Sequence, residues 1–279
     1  MLTRYLFMVF GDGDEHYAQA HLAALTVLAY APAPCEVVVA TNSPARCAWL
    51  ATHPLVRIVT LDEATLMRWR GTSGFFWRVK LECIRSQLDP AQALVYLDSD
   101  TYARRDLTEL VASLEQGAVL MHEPENQLST SRRAGDRRLY RQLASRSWSG
   151  LAVDAQTRMW NAGVVAVGAD GRAVIERALA LCDELCATIG NHALNEQLAL
   201  SLSLQATGRL APARLWIDHY WGNKRDHLPA IQAQLGRFLL LGSTPRQAAL
   251  EARERPILLP LHVRRRRWEQ WLGRVLHLH

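Results

Sequence analysis

Between residues 4 and 122, short apolar runs alternate with stretches of helical spacing, and few folds accommodate that order. The apolar runs lie at residues 4–10, 35–40, 57–61, 93–97 and 118–122, each short enough to be a strand. Residues 15–30, 75–88 and 107–114 carry helical periodicity, with Asp14 placed to cap the first and a short helix expected after Pro44. Strands separated by helices join in parallel, because a parallel neighbour needs a long crossover. The expected fold is therefore α/β, with a Rossmann-related, mainly parallel sheet flanked by helices. The alternation lapses over residues 123–158, which are polar, rich in Arg and poorly periodic, as in a binding loop or lid. It resumes with a strand at 163–167, helices at 173–188 and 194–206, and a strand at 215–219. Beyond Asp226 the pattern predicts helices broken by Pro. A chain of 279 residues is long enough for one catalytic domain over residues 1–225 and a short helical appendage over 226–279.

No stretch reaches the roughly 18 to 20 apolar residues of a membrane span. The apolar start, residues 1–10, is shorter than a signal peptide and lacks a small-residue cleavage site, so it reads as a first strand in a cytoplasmic protein. The five cysteines are an odd number, mostly inside apolar segments, and read as reduced core thiols. Cys182 and Cys186, one helical turn apart and near His192, leave a zinc site conceivable, but no second cysteine pair accompanies them. The net charge of +5 is uneven, with arginines crowded at 132–146 and 264–267, which suits acidic partners. Of 32 basic residues only Lys80 and Lys224 are lysines. In a chain so biased to Arg, a Lys can mark a position that needs a compact point charge.

Asp98-Ser99-Asp100 closes the apolar run Leu94-Val95-Tyr96-Leu97. Carboxylates at i and i+2 leave a strand on the same side, and open α/β sheets bind ligands at their carboxyl ends. Two adjacent hard oxygen ligands call for a cation, and Mg²⁺ or Mn²⁺ is ordinarily held by one or two carboxylates with substrate phosphates; an Asp turn with capping duty is the plainer alternative. A second strand end carries Asp218-His219-Tyr220-Trp221-Gly222-Asn223-Lys224, offering an imidazole for the same ion and a lysine for a diphosphate, or else a core histidine and an exposed lysine. Trp160-Asn161-Ala162-Gly163 precedes another strand, where an amide could meet sugar hydroxyls or simply shape the turn. Asn195-Glu196-Gln197 opens a helix, as caps or as pocket groups.

In this order the four motifs resemble the GT-A glycosyltransferases, most closely the family 8-like group that includes glycogenin and bacterial lipopolysaccharide galactosyl- and glucosyltransferases. The resemblance covers residues 4 to about 225. It implies that Asp98 and Asp100 bind Mn²⁺ (or Mg²⁺) and the donor diphosphate, that His219 completes the metal site, and that Gly222 and Lys224 of the His-x-x-Gly-x-Lys pattern meet the diphosphate. Asn161, Ala162 and Gly163 would contact the donor sugar, Lys80 the donor, and Asp12 and Tyr17 the nucleoside; Ser99 lies between the metal carboxylates. Where the family often has Asp-Gln near the reacting carbon, this chain has Glu196-Gln197, so Gln197, Glu196 and Asn161 are the candidate catalytic groups. The implied activity is a metal-dependent, retaining transfer from a nucleotide-diphosphate sugar, with UDP the family's nucleotide, to a glycan, glycolipid or protein acceptor.

Two other functions fit parts of the sequence. A phosphatase of the haloacid dehalogenase type also follows a strand with Asp-x-Asp, but places it on the first strand with Thr or Val where this chain has Tyr102. A non-catalytic nucleic-acid- or membrane-binding protein would use the basic clusters, but no nucleic-acid module accompanies them. Residues 263–276 combine four arginines with Trp268, Trp271, Leu272, Val275 and Leu276 at helical spacing, the pattern of an interfacial helix. That pattern predicts peripheral association with the anionic inner face of a membrane, and a lipid-linked acceptor; packing on the catalytic domain is the alternative.

Overall fold

The computed structural model describes residues 1–144 and 146–263. Seven strands form the central sheet in the spatial order Leu210–Pro212, Val119–Met121, Val164–Val167, Gln92–Leu97, Leu2–Val9, Cys35–Thr41 and Val56–Thr60. Every pairing is parallel except those of Val164–Val167, which runs antiparallel to both of its neighbours. The expected α/β architecture is the one observed.

Alternation along the strands sorts side chains into two apolar layers. Tyr5, Phe7, Val37, Val39, Val95 and Leu97 face one way, against helix Asp14–Tyr30 and the later helices Lys224–Leu240 and Pro245–Glu254. Leu6, Val38, Ala40, Leu94, Tyr96 and Val165 face the other way, toward helices Arg78–Gln87, Gly171–Ile189 and Asn195–Gln205. Helices Lys224–Leu240 and Pro245–Glu254 bury Phe238, Ala248 and Ala249 against the first layer. All five cysteines are buried free thiols. Among the described residues no helix is long and apolar enough to cross a membrane. The Trp-bearing basic stretch from residue 264 onward lies outside the described residues.

The structure departs from the sequence reading in three places. Helix Asp14–Tyr30 is capped at Gly13, not by Asp14, whose carboxylate pairs with Arg46 at 2.7 Å. Pro229 lies inside helix Lys224–Leu240 without ending it, because it sits in the second turn and removes only one ladder bond. Residues 123–158 are not a loop. They hold strand Pro124–Gln127, paired antiparallel with Arg158–Trp160, then helix Ala134–Leu143 and the small hairpin Ser147–Trp148/Leu151–Ala152. The helix hides only Leu139, Leu143 and Asp136, too few apolar positions for its period to register.

Candidate active site

Sheet register assembles the site around Asp98 and Asp100. Phe7 pairs with Leu97, so the ends of the first and fourth strands stand side by side and Met8, Val9 and Phe10 face the space above Asp98. On the other side Val164 pairs antiparallel with Leu97, and the Asp98 N–H donates to the Gly163 carbonyl at 2.8 Å. Residues 161–163 are thereby held against the Asp-Ser-Asp turn. Past the turn, Thr101–Ala103 pairs antiparallel with Ile217–His219, setting His219 opposite Thr101. The Tyr220 N–H closes this junction by donating to the Asp100 carbonyl at 3.1 Å.

The result is a cleft of about 480 Å³ whose lining includes Asp98, Ser99, Asp100, His219 and both lysines. One ligand atom from each of Asp98, Asp100 and His219 lies within 4.8 Å of the others. These three side chains would hold one divalent cation such as Mg²⁺ after small rotamer changes. The donor set, two carboxylates and an imidazole, suits Mn²⁺ as well. His219 Nε2 is 3.3 Å and Lys224 Nζ 2.8 Å from Asp100 Oδ2. Burial would raise the Asp100 carboxyl, but His219 and then Lys224 outweigh it and hold Asp100 well below the usual carboxylate range.

His219 is oriented from behind. Its Nδ1 lies 2.8 Å from Asn161 Oδ1, which also accepts the Gly163 N–H at 3.0 Å. An oxygen acceptor there fixes a proton on Nδ1, so Nε2 is the ring nitrogen turned toward Asp100 and the one that would offer its lone pair to a bound cation. The edge of the buried His122 ring meets His219 at 5.4 Å between centroids. Burial, then the neighbouring His219, pushes His122 down to about 4, so it packs as a neutral ring. Gly163 makes this packing possible, since a Cβ there would fall 2.2 Å from both Cε1 and Nδ1 of His219. Gly163→Ala should therefore displace the imidazole and weaken Mn²⁺ binding by roughly 10- to 100-fold, as read by isothermal titration calorimetry. Unchanged affinity would show that His219 is not a ligand.

Lys80 is buried under the other carboxylate. Its Nζ lies 3.2 Å from Asp98 Oδ1 and 3.3 Å from Glu196 Oε1, and donates to the Ala162 carbonyl at 2.7 Å. Burial alone would lower Lys80, but the two carboxylates outweigh it and its pKa stands above the ordinary lysine value. Burial raises Glu196, opposed by Lys80 and reinforced by Asp98. The Tyr96 hydroxyl donates to Asp98 Oδ1 at 3.0 Å. At the far wall, Glu125 joins two candidate groups by accepting from Asn161 Nδ2 at 3.0 Å and Gln197 Nε2 at 3.2 Å.

The motif residues thus converge on one cleft, with three exceptions. Asp12 is exposed at the turn after the first strand, where its carbonyl accepts from Arg46. Tyr17 is buried behind that turn, donating to the Gly11 carbonyl at 3.1 Å, and it lines a separate cavity with His21 and Trp49. Gly222 lies at the edge of the cleft, opposite His262, with which it forms an isolated bridge. The sequence reading missed Glu125, Arg133, Tyr96, Phe76 and Trp77, all of which line the cleft. It also missed the strap that carries His262: Asn223 donates to the Pro260 carbonyl at 2.7 Å and Arg104 to the Ile257 carbonyl at 2.7 Å. Of the missed residues only Tyr96 lay on a recognised strand, where pattern could have found it.

No family model and no curated protein matches the sequence. Solved structures do match the fold. The chain is similar to the galactosyltransferase LgtC in complex with donor and acceptor sugar analogues, with a TM-score of 0.52 and 14% identity over 93% of this chain and 85% of that one. It is also similar to an active-site mutant of LgtC, at a TM-score of 0.51 and 17% identity over 76% of this chain and 72% of that one. Apo mouse xyloside xylosyltransferase 1 matches at a TM-score of 0.52 and 12% identity, over 84% and 93% of the two chains. At such identities the likeness is one of architecture, and the chain has a GT-A-like α/β fold.

Proposed function

We propose that this protein is a metal-dependent glycosyltransferase that moves a sugar from a nucleotide-diphosphate donor, UDP-linked by the resemblance of its motifs, to a glycan or glycolipid acceptor. The catalytic unit is residues 1–225, with residues 226–279 as an appendage. The observation that carries this reading is the grouping of Asp98, Asp100 and His219 within 4.8 Å at the carboxyl end of a parallel strand, with Lys224 at one side and Lys80 at the other. Two carboxylates, an imidazole and a lysine in a cleft suit a divalent cation bridging to a diphosphate. A divalent cation supplies Lewis-acid stabilisation of the leaving diphosphate when bound.

The residues around it divide the remaining work. Lys224, about half exposed on its side chain, is free to turn from Asp100 to a phosphate oxygen. Asn161 keeps the His219 lone pair forward, and Gly163 lets the ring sit there. Glu196 is tied to Lys80 and Gln197 to Glu125, which supports a positioning role for both and a retaining outcome. Lys80 occupies the Glu196 carboxylate, so Glu196 would reach an incoming hydroxyl only by giving up that ion pair. Asp12 and Tyr17 are assigned to the nucleoside side through the turn they shape.

The test is donor turnover. With Mn²⁺ the full chain should release UDP from a UDP-sugar, slowly to water and faster to acceptor, and EDTA should stop both. Proton NMR of the product should show the donor's anomeric configuration. Full activity in EDTA would exclude the metal role, and an inverted product would reassign Glu196 as base.

A further inference from the structure

Helix Ala134–Leu143 and its flanks carry a cationic face that the donor chemistry does not use. Leu139 and Leu143 turn into the core, while Arg132, Arg133, Arg137, Arg138 and Arg141 stay exposed. Beyond the helix, the Arg146 guanidinium sits 3.8 Å from the centroid of the buried Trp148 ring. The one acid of the helix, Asp136, is buried and points inward, accepting from Ser131 Oγ at 2.6 Å and Asn126 Nδ2 at 3.3 Å. Among the described residues none of the six arginines has a carboxylate partner. Arg137 and Arg141 reach only backbone carbonyls, those of Ser131 and Arg137. Six uncompensated guanidinium groups repel one another, and an anion on this face would relieve that repulsion.

The face is continuous with the cleft, since Arg133 lines it together with Glu125 and Gln197. The helix and its described flanks expose no large apolar side chain of their own, and the exposed Phe76 and Trp77 belong to the cleft that Arg133 borders. Between Trp77 and Leu215 no large hydrophobic residue is exposed among the described residues, whereas a membrane-surface helix sets aromatic or aliphatic groups beside its basic ones. Guanidinium forks match phosphate oxygens two at a time, and a phosphate monoester brings up to two charges and three acceptors to one point.

We propose, on the basis of the transferase reading above, that this face binds phosphate groups on the acceptor. The substrate class is then a phosphorylated glycan, its reacting hydroxyl in the cleft and its phosphate on the arginines. Arg133 sits where the two regions meet.

The experiment uses the full chain and the triple variant Arg132→Gln, Arg138→Gln, Arg141→Gln, whose side chains lie outside the cleft lining. Both are applied to an array of lipid-free bacterial glycans in phosphorylated form and to the same array after phosphatase treatment. Binding by the full chain should fall about tenfold or more on phosphatase treatment, and the triple variant should show that weaker binding without treatment. UDP-sugar hydrolysis with Mn²⁺ and the melting temperature should be the same for both proteins. Binding indifferent to phosphatase, or unchanged in the triple variant, would overturn the proposal. So would a variant whose only defect is weaker binding to vesicles of phosphatidylglycerol and phosphatidylcholine, which would make the face a membrane contact. Phosphatase-sensitive binding without donor hydrolysis in either protein would remove the transferase reading, and with it the word acceptor, while leaving the phosphate surface in place.

Discussion

Asp100→Asn is expected to abolish sugar transfer while the protein stays folded. Asp100 is 3% exposed, and its Oδ2 is shared by His219 at 3.3 Å and Lys224 at 2.8 Å. Asparagine keeps the size but removes the charge and one of two hard oxygen ligands. Losing a metal's contribution to a leaving diphosphate should reduce turnover by about 10³-fold or more, roughly 4 kcal/mol of barrier. The fold should survive because Lys224, 49% exposed on its side chain, can swing to water when its partner goes. The same variant should lose the rise in melting temperature that Mn²⁺ gives the unaltered chain, since an ion bound only by the folded state stabilises it by mass action. Activity within tenfold of the unaltered chain, with circular dichroism unchanged, would take Asp100 out of the metal site.

Lys80→Met should damage stability and activity together. Lys80 is buried between Asp98 and Glu196, and its removal leaves Glu196, 7% exposed on its side chain, with no cation. Removing one member of a buried ion pair costs about 3–5 kcal/mol. In a domain of this size that should lower the melting temperature by roughly 6–20 °C. Because Lys80 titrates above its ordinary value, its stabilisation is complete at neutral pH and is lost only as pH rises through the folded-state value. The companion variant Lys80→Met, Glu196→Gln should regain much of the stability, since no buried charge is left alone, yet remain inactive. Equal melting temperatures for the single and double variants would show that Glu196 does not depend on Lys80.

The sheet and the Asp-x-Asp ending of its fourth run were both visible in the sequence, for related reasons. Residues 4–10, 35–40 and 93–97 are apolar enough, and short enough, to be strands whatever surrounds them. The Asp98-Ser99-Asp100 ending and the sparse lysines then narrowed the chemistry. What the sequence could not convey was pairing. Nothing in the run Ile217–His219 says that it lies antiparallel to Thr101–Ala103, and only that register brings His219 to Asp100. Glu125 was hidden because its strand is four residues long and mostly polar. The helix at Ala134–Leu143 was hidden because only two of its ten residues, Leu139 and Leu143, are buried apolar side chains. Tyr17 shows what a motif leaves out: its hydroxyl ties down the turn at Gly11, a contact that only the folded chain reveals.

The pairing of Thr101–Ala103 with Ile217–His219 also sets the order in which a newly made chain becomes competent. Closing a loop of about 120 residues carries an entropic penalty that only later contacts repay. During vectorial synthesis the four parallel strands up to Leu97 can associate first, since all four emerge before Ile217–His219 has been made. At that stage Asp98 and Asp100 face each other with no imidazole and no Lys224. The candidate cation site is finished only when residues 217–224 have been translated and zipped onto the edge at Thr101. A nascent chain stalled before that point would carry most of its sheet and none of its chemistry.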